Sequence, residues 1–321
     1  MKIGLFDPIL WRLDFEAMLD KVRDLGLDAV EISTGGYVGS SHCDVKALIG
    51  DANARSAWKG AIDERGLTIS ALSCHGNPLH PDPAVADDHH GAWRDTVVLA
   101  ELLGVDTVVT FSGCPGGGPD DKTPAWHVCA WPTDHAKSLE WQWAERVIPY
   151  WREQAEYADS HGVKVAIEMH PGFVVYHPEN ALLLRNETRA NVGVNFDPSH
   201  LFWQRVDIAR AIRRLGDSIY HFHAKDTRID PIVADVKGVL DTTPYNEVAD
   251  RSWVFRSVGY GHDVSEWKTI VSALRTVGYD GVLSIEHEDA LASPDEGLAK
   301  AVSALREAVL TEPAGKAFWA E

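Results

Sequence analysis

Short apolar runs alternate with amphipathic stretches along the whole chain, and this βα rhythm restricts the fold more than any other feature. Runs at 2–6, 29–32, 68–73, 107–111, 164–168, 193–197, 219–224 and 281–286 read as strands, the second carrying Glu31 near its end. Between them, 14–25, 56–65, 88–103, 138–161, 178–185, 207–215, 264–277 and 294–310 carry helical spacing, and Gly26, Gly66, Gly104 and Gly162 stand where helices should stop. Eight such units without a linker-like break predict a single (β/α)8 TIM barrel over 1–310, followed by a tail at 311–321. With 321 residues, 45% of them apolar, the chain has ample material for one such core.

Two connections are too long to be simple turns. After the fourth strand, the Gly/Pro-rich run from Ser112 to Pro119 continues to about Lys137, and after the seventh a loop extends from Asp226 to His262. Loops of that length act as lids or interfaces. The first lacks the Lys-Ser/Thr ending of a phosphate-binding P-loop, which argues against a nucleotide reading.

A formal charge of −18 repels nucleic acid and anionic membranes. Cys43, Cys74, Cys114 and Cys129 show no paired or metal-knuckle spacing, so reduced thiols in a cytoplasmic protein are expected. The first residues do not form a signal peptide, and no segment reaches the roughly 18 apolar residues of a membrane span.

Four apolar runs end in residues of a kind that hold cations: Glu168, Asp197, His223 and Glu286. In a (β/α)8 barrel the C-terminal ends of all strands meet on one face, so these four, from strands five to eight, become neighbours. Taken singly, each is as well explained by helix capping or a surface ion pair. Together, three carboxylates would repel one another without a cation. Three carboxylates and one imidazole suit a single divalent ion such as Mn²⁺, Mg²⁺, Co²⁺ or Zn²⁺. Such a shell keeps one negative charge, for which a proton or a neighbouring Lys or Arg is needed.

The strand ending in Glu168, the run Asp197-Pro198-Ser199-His200, the run His223-Ala224-Lys225-Asp226 and the strand ending in Glu286 resemble the xylose-isomerase-like barrel superfamily of sugar isomerases and epimerases. That superfamily includes tagatose/psicose 3-epimerases, inosose dehydratases and, more distantly, apurinic-site endonucleases. The resemblance implies one divalent metal, Mn²⁺ first, on Glu168, Asp197, His223 and Glu286. The composite of Glu168-Met169-His170-Pro171-Gly172, Asn195 to His200 and His221 to Thr227 looks, more narrowly, like the catalytic subunit of bacterial C-glycoside deglycosidases and related 3-keto-glycoside enzymes. That likeness implies a keto-sugar or 3-oxo-glycoside substrate and a small second subunit; an oligomer is expected. The fourth strand ends in Phe111-Ser112-Gly113 and Thr227-Arg228 follows Asp226, so the additional His ligands of the endonucleases are missing and DNA repair is not expected.

These enzymes share one step, removal of a proton next to a polarised carbonyl. His170 projects on the same side of an extended chain as Glu168, so it is either the base or a brace for a ligand. Glu168 and Glu286 are the acid/base pair that the epimerase likeness implies. Lys225 either stabilises developing negative charge or pairs with Asp226 at the surface. His200, His75, Arg228 and Trp203 are the candidate substrate contacts. Trp126 and Trp131 are further candidates, although with twelve tryptophans most must serve packing. Epimerisation of a plain ketose or an inosose-type dehydration is the alternative reaction, and a sugar-binding or scaffold barrel the non-catalytic alternative.

Overall fold

A computed structural model of the chain describes residues 1–315 and 317–320; Lys316 and Glu321, in the tail, lie outside the described residues. The described residues form ten strands: β1 (Lys2–Phe6), β2 (Ala29–Gly36), β3 (Thr68–His75), β4 (Thr107–Phe111), β5 (Lys164–Glu168), β6 (Val192–Phe196), β7 (Ile219–Ala224), β8 (Asp226–Ile229), β9 (Trp253–Arg256) and β10 (Val282–Ile285). Eight of them close a barrel in the order β1-β10-β7-β6-β5-β4-β3-β2, and every pairing within it is parallel. The expected TIM barrel is therefore the architecture of this chain. Among the described residues no helix is long and apolar enough to cross a membrane.

The strands are almost wholly buried because helices cover the barrel outside, which is why they read as continuous apolar runs. Trp93, Trp151 and Trp267 are the largest of the buried side chains, and Trp93 meets Trp151 edge-on at 5.6 Å in this helix layer. Asp14, Asp51, Asp207 and Asp263 each cap a helix by accepting from its first-turn amides. Gly104 ends its helix in the left-handed region at φ 72°, a conformation that a Cβ would disfavour.

Several elements depart from the sequence expectation, among them a helix at Val45–Gly50 and an earlier start, at Ala52, for the helix expected at 56–65. The helix expected at 88–103 begins earlier and spans Pro83–Leu103, because Asp82 accepts from the Ala84 amide and Pro83 occupies the first turn. The expected helix at 138–161 starts at Thr133 and contains a π-helical turn, Gln142–Val147. At that turn the Gln142 amide is drawn inward, donating to the carbonyls of Gly116 and Ala125 and so pinning the loop after β4. The loop after β7 is not irregular: β8 and β9 form an antiparallel hairpin, with a short helix, Pro231–Lys237, between them.

Asp226 is the staple of this hairpin. Fully buried, its carboxylate accepts from the amides of Thr227, Gly259, Gly261 and His262 and from the Trp267 indole, and it lies 2.8 Å from His262 Nδ1. Asp226→Ala leaves these donors buried without an acceptor and should cost about 3 kcal/mol or more of stability. Urea unfolding measures it, and an unchanged midpoint would refute the staple.

Candidate active site

Glu168 is the last residue of β5, Asp197 follows β6, His223 is the penultimate residue of β7 and Glu286 follows β10. One ligand-type atom from each lies within 4.8 Å of the others at the C-terminal mouth of the barrel. Glu168, Asp197 and His223 are buried, while the Glu286 side chain keeps 16% exposure towards the mouth.

These groups do not satisfy one another as hydrogen-bond partners. Asp197 Oδ2, His223 Nδ1, Glu286 Oε2 and, beside them, His200 Nε2 are buried without a hydrogen-bond partner. Buried polar atoms are rarely left so. A divalent cation between Asp197, His223 and Glu286 accounts for the first three, whereas His200 Nε2 faces the Asp197 carboxylate at 3.1 Å; the donor set of three carboxylates and an imidazole is the right chemistry for such an ion. The other atoms of the ligands are tied down: Asp197 Oδ1 accepts from the Ser199 amide at 2.8 Å, and Glu168 Oε2 accepts from Asn195 at 3.0 Å and lies 2.9 Å from His75 Nε2.

The carboxyls are strongly acidic. Burial alone would raise Glu168, but the His223 and His75 charges beside it carry it well below the usual range. Burial likewise opposes ionisation of Glu286, and Lys225 and His223 bring it down to about 2. His200, penalised by burial, is pushed up to about 9 because Asp197 lies 3.1 Å from its Nε2.

Lys225 supplies the positive charge that the shell requires. It is buried, with Nζ 3.2 Å from Asp197, 2.8 Å from Glu286 and 3.1 Å from Glu288. The surface pair with Asp226 is absent, because strand alternation turns Asp226 to the opposite side, into the hairpin staple.

His170 stands at the edge of this cluster, its ring centroid 4.0 Å from that of His200. Its Nδ1 donates to the Pro171 carbonyl at 2.6 Å, which leaves the Nε2 lone pair free. Burial and the charge of His200 push its pKa down to about 3, so the ring is neutral.

Beyond His170 and His200 opens a cavity of about 280 Å³ walled by Trp126, Trp203, Tyr245 and Trp253. Trp203 and Trp253 stack in parallel, 4.8 Å apart and 2° from coplanar. The indole nitrogens of Trp126 and Trp203 are buried without acceptors. Trp253 and Tyr245 were missed in the sequence reading, although the alternation of Trp253, Val254, Phe255 and Arg256 is a strand signal.

The structure thus brings His75, His200 and Trp203 to the site. Arg228 it does not: Arg228 pairs in register with Val254 on the other face of the hairpin, exposed beside a separate cavity with Ile232, Val248 and Leu291. One step along a strand reverses the side-chain direction, and Thr227 rather than Arg228 points inward. Trp131 does not line the cavity either and is 76% exposed. Glu31, given no role from sequence, is buried on β2 and reaches across the barrel to His223.

The family model for xylose isomerase-like TIM barrels matches residues 19–308. The chain belongs to that family. It is 38% identical over 312 residues to the uncharacterized protein YfiH of Bacillus subtilis, covering 96% of this chain and 99% of that one. A D-psicose 3-epimerase of Ruminiclostridium cellulolyticum is 24% identical over 66% of this chain and 67% of its own length. Among solved structures, the IOLI protein with a binding zinc atom superposes with a TM-score of 0.64 at 19% identity, over 96% of this chain and 98% of that one. The fold and family are those expected; the narrower likeness to C-glycoside deglycosidases stays a matter of function.

Proposed function

We propose that this chain is a metal-dependent enzyme that removes the proton next to the ketone of a 3-oxo-glycoside and expels the group at C1. The observation that carries this reading is the aromatic cavity joined to the metal-type cluster through His170 and His200. A free ketose fills the cluster and leaves that cavity empty; a glycoside fills both, its second group against flat indole faces.

Glu168, Asp197, His223 and Glu286 hold the cation, which when bound polarises the ketone and acidifies the adjacent C–H. His170 Nε2 takes the C2 proton. The C–H electron pair moves towards the carbonyl oxygen, where buried Lys225 balances the developing charge. The pair then returns to form the C1–C2 double bond as the bond from C1 to its substituent breaks; the leaving group departs with that bond's electrons and collects a proton. Protonated His200 contacts the sugar. Epimerisation of a ketose is the second reading, favoured by the D-psicose 3-epimerase relative. It uses Glu168 and Glu286 as the acid/base pair.

The deciding experiment supplies Mn²⁺-loaded protein with a 3-oxo-C- or O-glucoside and with free ketoses in D₂O. Release of the free aglycone, lost on chelation and restored by Mn²⁺ or Co²⁺, is expected. Deuterium exchange with ketoses alone would transfer the assignment to epimerisation, and no exchange or release with any of them would sink both.

A further inference from the structure

The buried carboxylate of Glu31 touches one of the proposed ligands and has no access to substrate. Both of its oxygens lie 3.0 Å from His223 Nε2, although β2 and β7 are not neighbours in the barrel. The contact therefore crosses the barrel interior. The other side of the same ring, Nδ1, faces Glu286 at 3.0 Å and Glu168 at 3.3 Å and has no hydrogen-bond partner.

Glu31 is itself held. Ser284 Oγ donates to Oε2 at 2.6 Å, and Ser73 Oγ donates to Oε1. Next to it, His221 Nδ1 lies 3.0 Å from Asn195 Oδ1, and the Asn195 amide donates to Glu168. A polar floor under the cluster thus braces two of its four groups, His223 through Glu31 and Glu168 through Asn195. A buried carboxylate is costly, and a barrel interior of this kind is ordinarily filled with apolar side chains. Its retention needs a cation close by, and His223 is the group that passes its charge on to the centre.

We infer that Glu31 is a positioning residue that fixes His223 as an Nδ1 metal ligand and adds a negative charge behind it. An imidazole that binds a cation through one nitrogen gives its other N–H to an acceptor; a carboxylate acceptor fixes the tautomer, locks the ring plane and makes the bound nitrogen a stronger donor. The inference rests on the metal reading of the site. It adds a charged residue from the first half of the chain, far from the strand ends that supply the ligands.

The test compares wild-type protein with Glu31→Gln, which keeps the size and one acceptor oxygen but loses the charge. Zn²⁺ and Mn²⁺ affinities are measured by competition with a chelator on metal-stripped protein, with circular dichroism to establish folding. Glu31→Gln should bind about 10–100-fold more weakly. In ¹⁵N-histidine protein loaded with ¹¹³Cd, the metal should couple to His223 Nδ1. Wild-type affinity in folded Glu31→Gln, or coupling to Nε2, overturns the inference alone. Wild-type protein that binds no cation overturns it together with the metal reading. Should Glu31→Gln not fold, Ser284→Ala decides: it frees one carboxylate oxygen, should weaken binding several-fold, and refutes the inference if affinity is unchanged.

Discussion

His170→Ala should lower turnover by about 10²–10⁴-fold while leaving the metal content at its wild-type level. The separation of the two effects follows from the geometry. His170 Nε2 is free and its ring lines the cavity, whereas the four groups around the common centre are Glu168, Asp197, His223 and Glu286. Removing the ring takes away the proton acceptor and leaves that constellation intact. The residual rate should respond to added imidazole, which can enter the space vacated beside Phe111 and Phe173, rings that flank His170 at 4.8 and 5.5 Å. Elemental analysis and steady-state kinetics on the same preparation check both halves. Full turnover in the variant ends the base assignment, and loss of metal makes His170 a ligand instead.

Asp197→Asn should weaken metal binding by at least about 100-fold, the largest effect on metal affinity expected of any single substitution here. The amide preserves the acceptor for the Ser199 backbone N–H, so the turn after β6 survives. What it removes is the charge at Oδ2, which lies 3.1 Å from His200 and 3.2 Å from Lys225. Those two cations then lose their common counterion and repel the incoming ion. Chelator competition on the folded variant measures the loss, and activity should fall in parallel at low metal and recover partly at high metal. Retention of wild-type affinity would remove Asp197 from the shell and leave the orphaned buried atoms without a cation.

Much of this site was legible from sequence because a parallel barrel converts position along the chain into position in space. Once eight βα units are counted, the residue that ends each strand must lie at one mouth, whatever the separation in sequence. Glu168, Asp197, His223 and Glu286 could therefore be grouped from strand-end position and donor chemistry, with no contact known. Lys225 was legible as a nearby cation, but its partners were not: whether it faced Asp226 or the carboxylates depended on the side-chain direction at the last residues of β7. Arg228 shows the same limit from the other side, since a hairpin register one residue different would have placed it inward.

The sequence by itself determined the barrel, its ends and the acid-rich cluster at its mouth, because these follow from local periodicity and from the rule that strand ends converge. Only the tertiary structure decided what surrounds that cluster. Glu31 lies on β2 and meets His223 on β7 across the barrel interior, a contact 192 residues apart that no local pattern encodes. The aromatic wall joins Trp126 from one long loop, Trp203 from the turn that follows the short helix Ser199–Phe202, and Trp253 from a hairpin held by Asp226. Their meeting depends on loop conformations set by buried polar anchors, Gln142 and Asp226, whose partners are mostly backbone groups with no identity in the sequence.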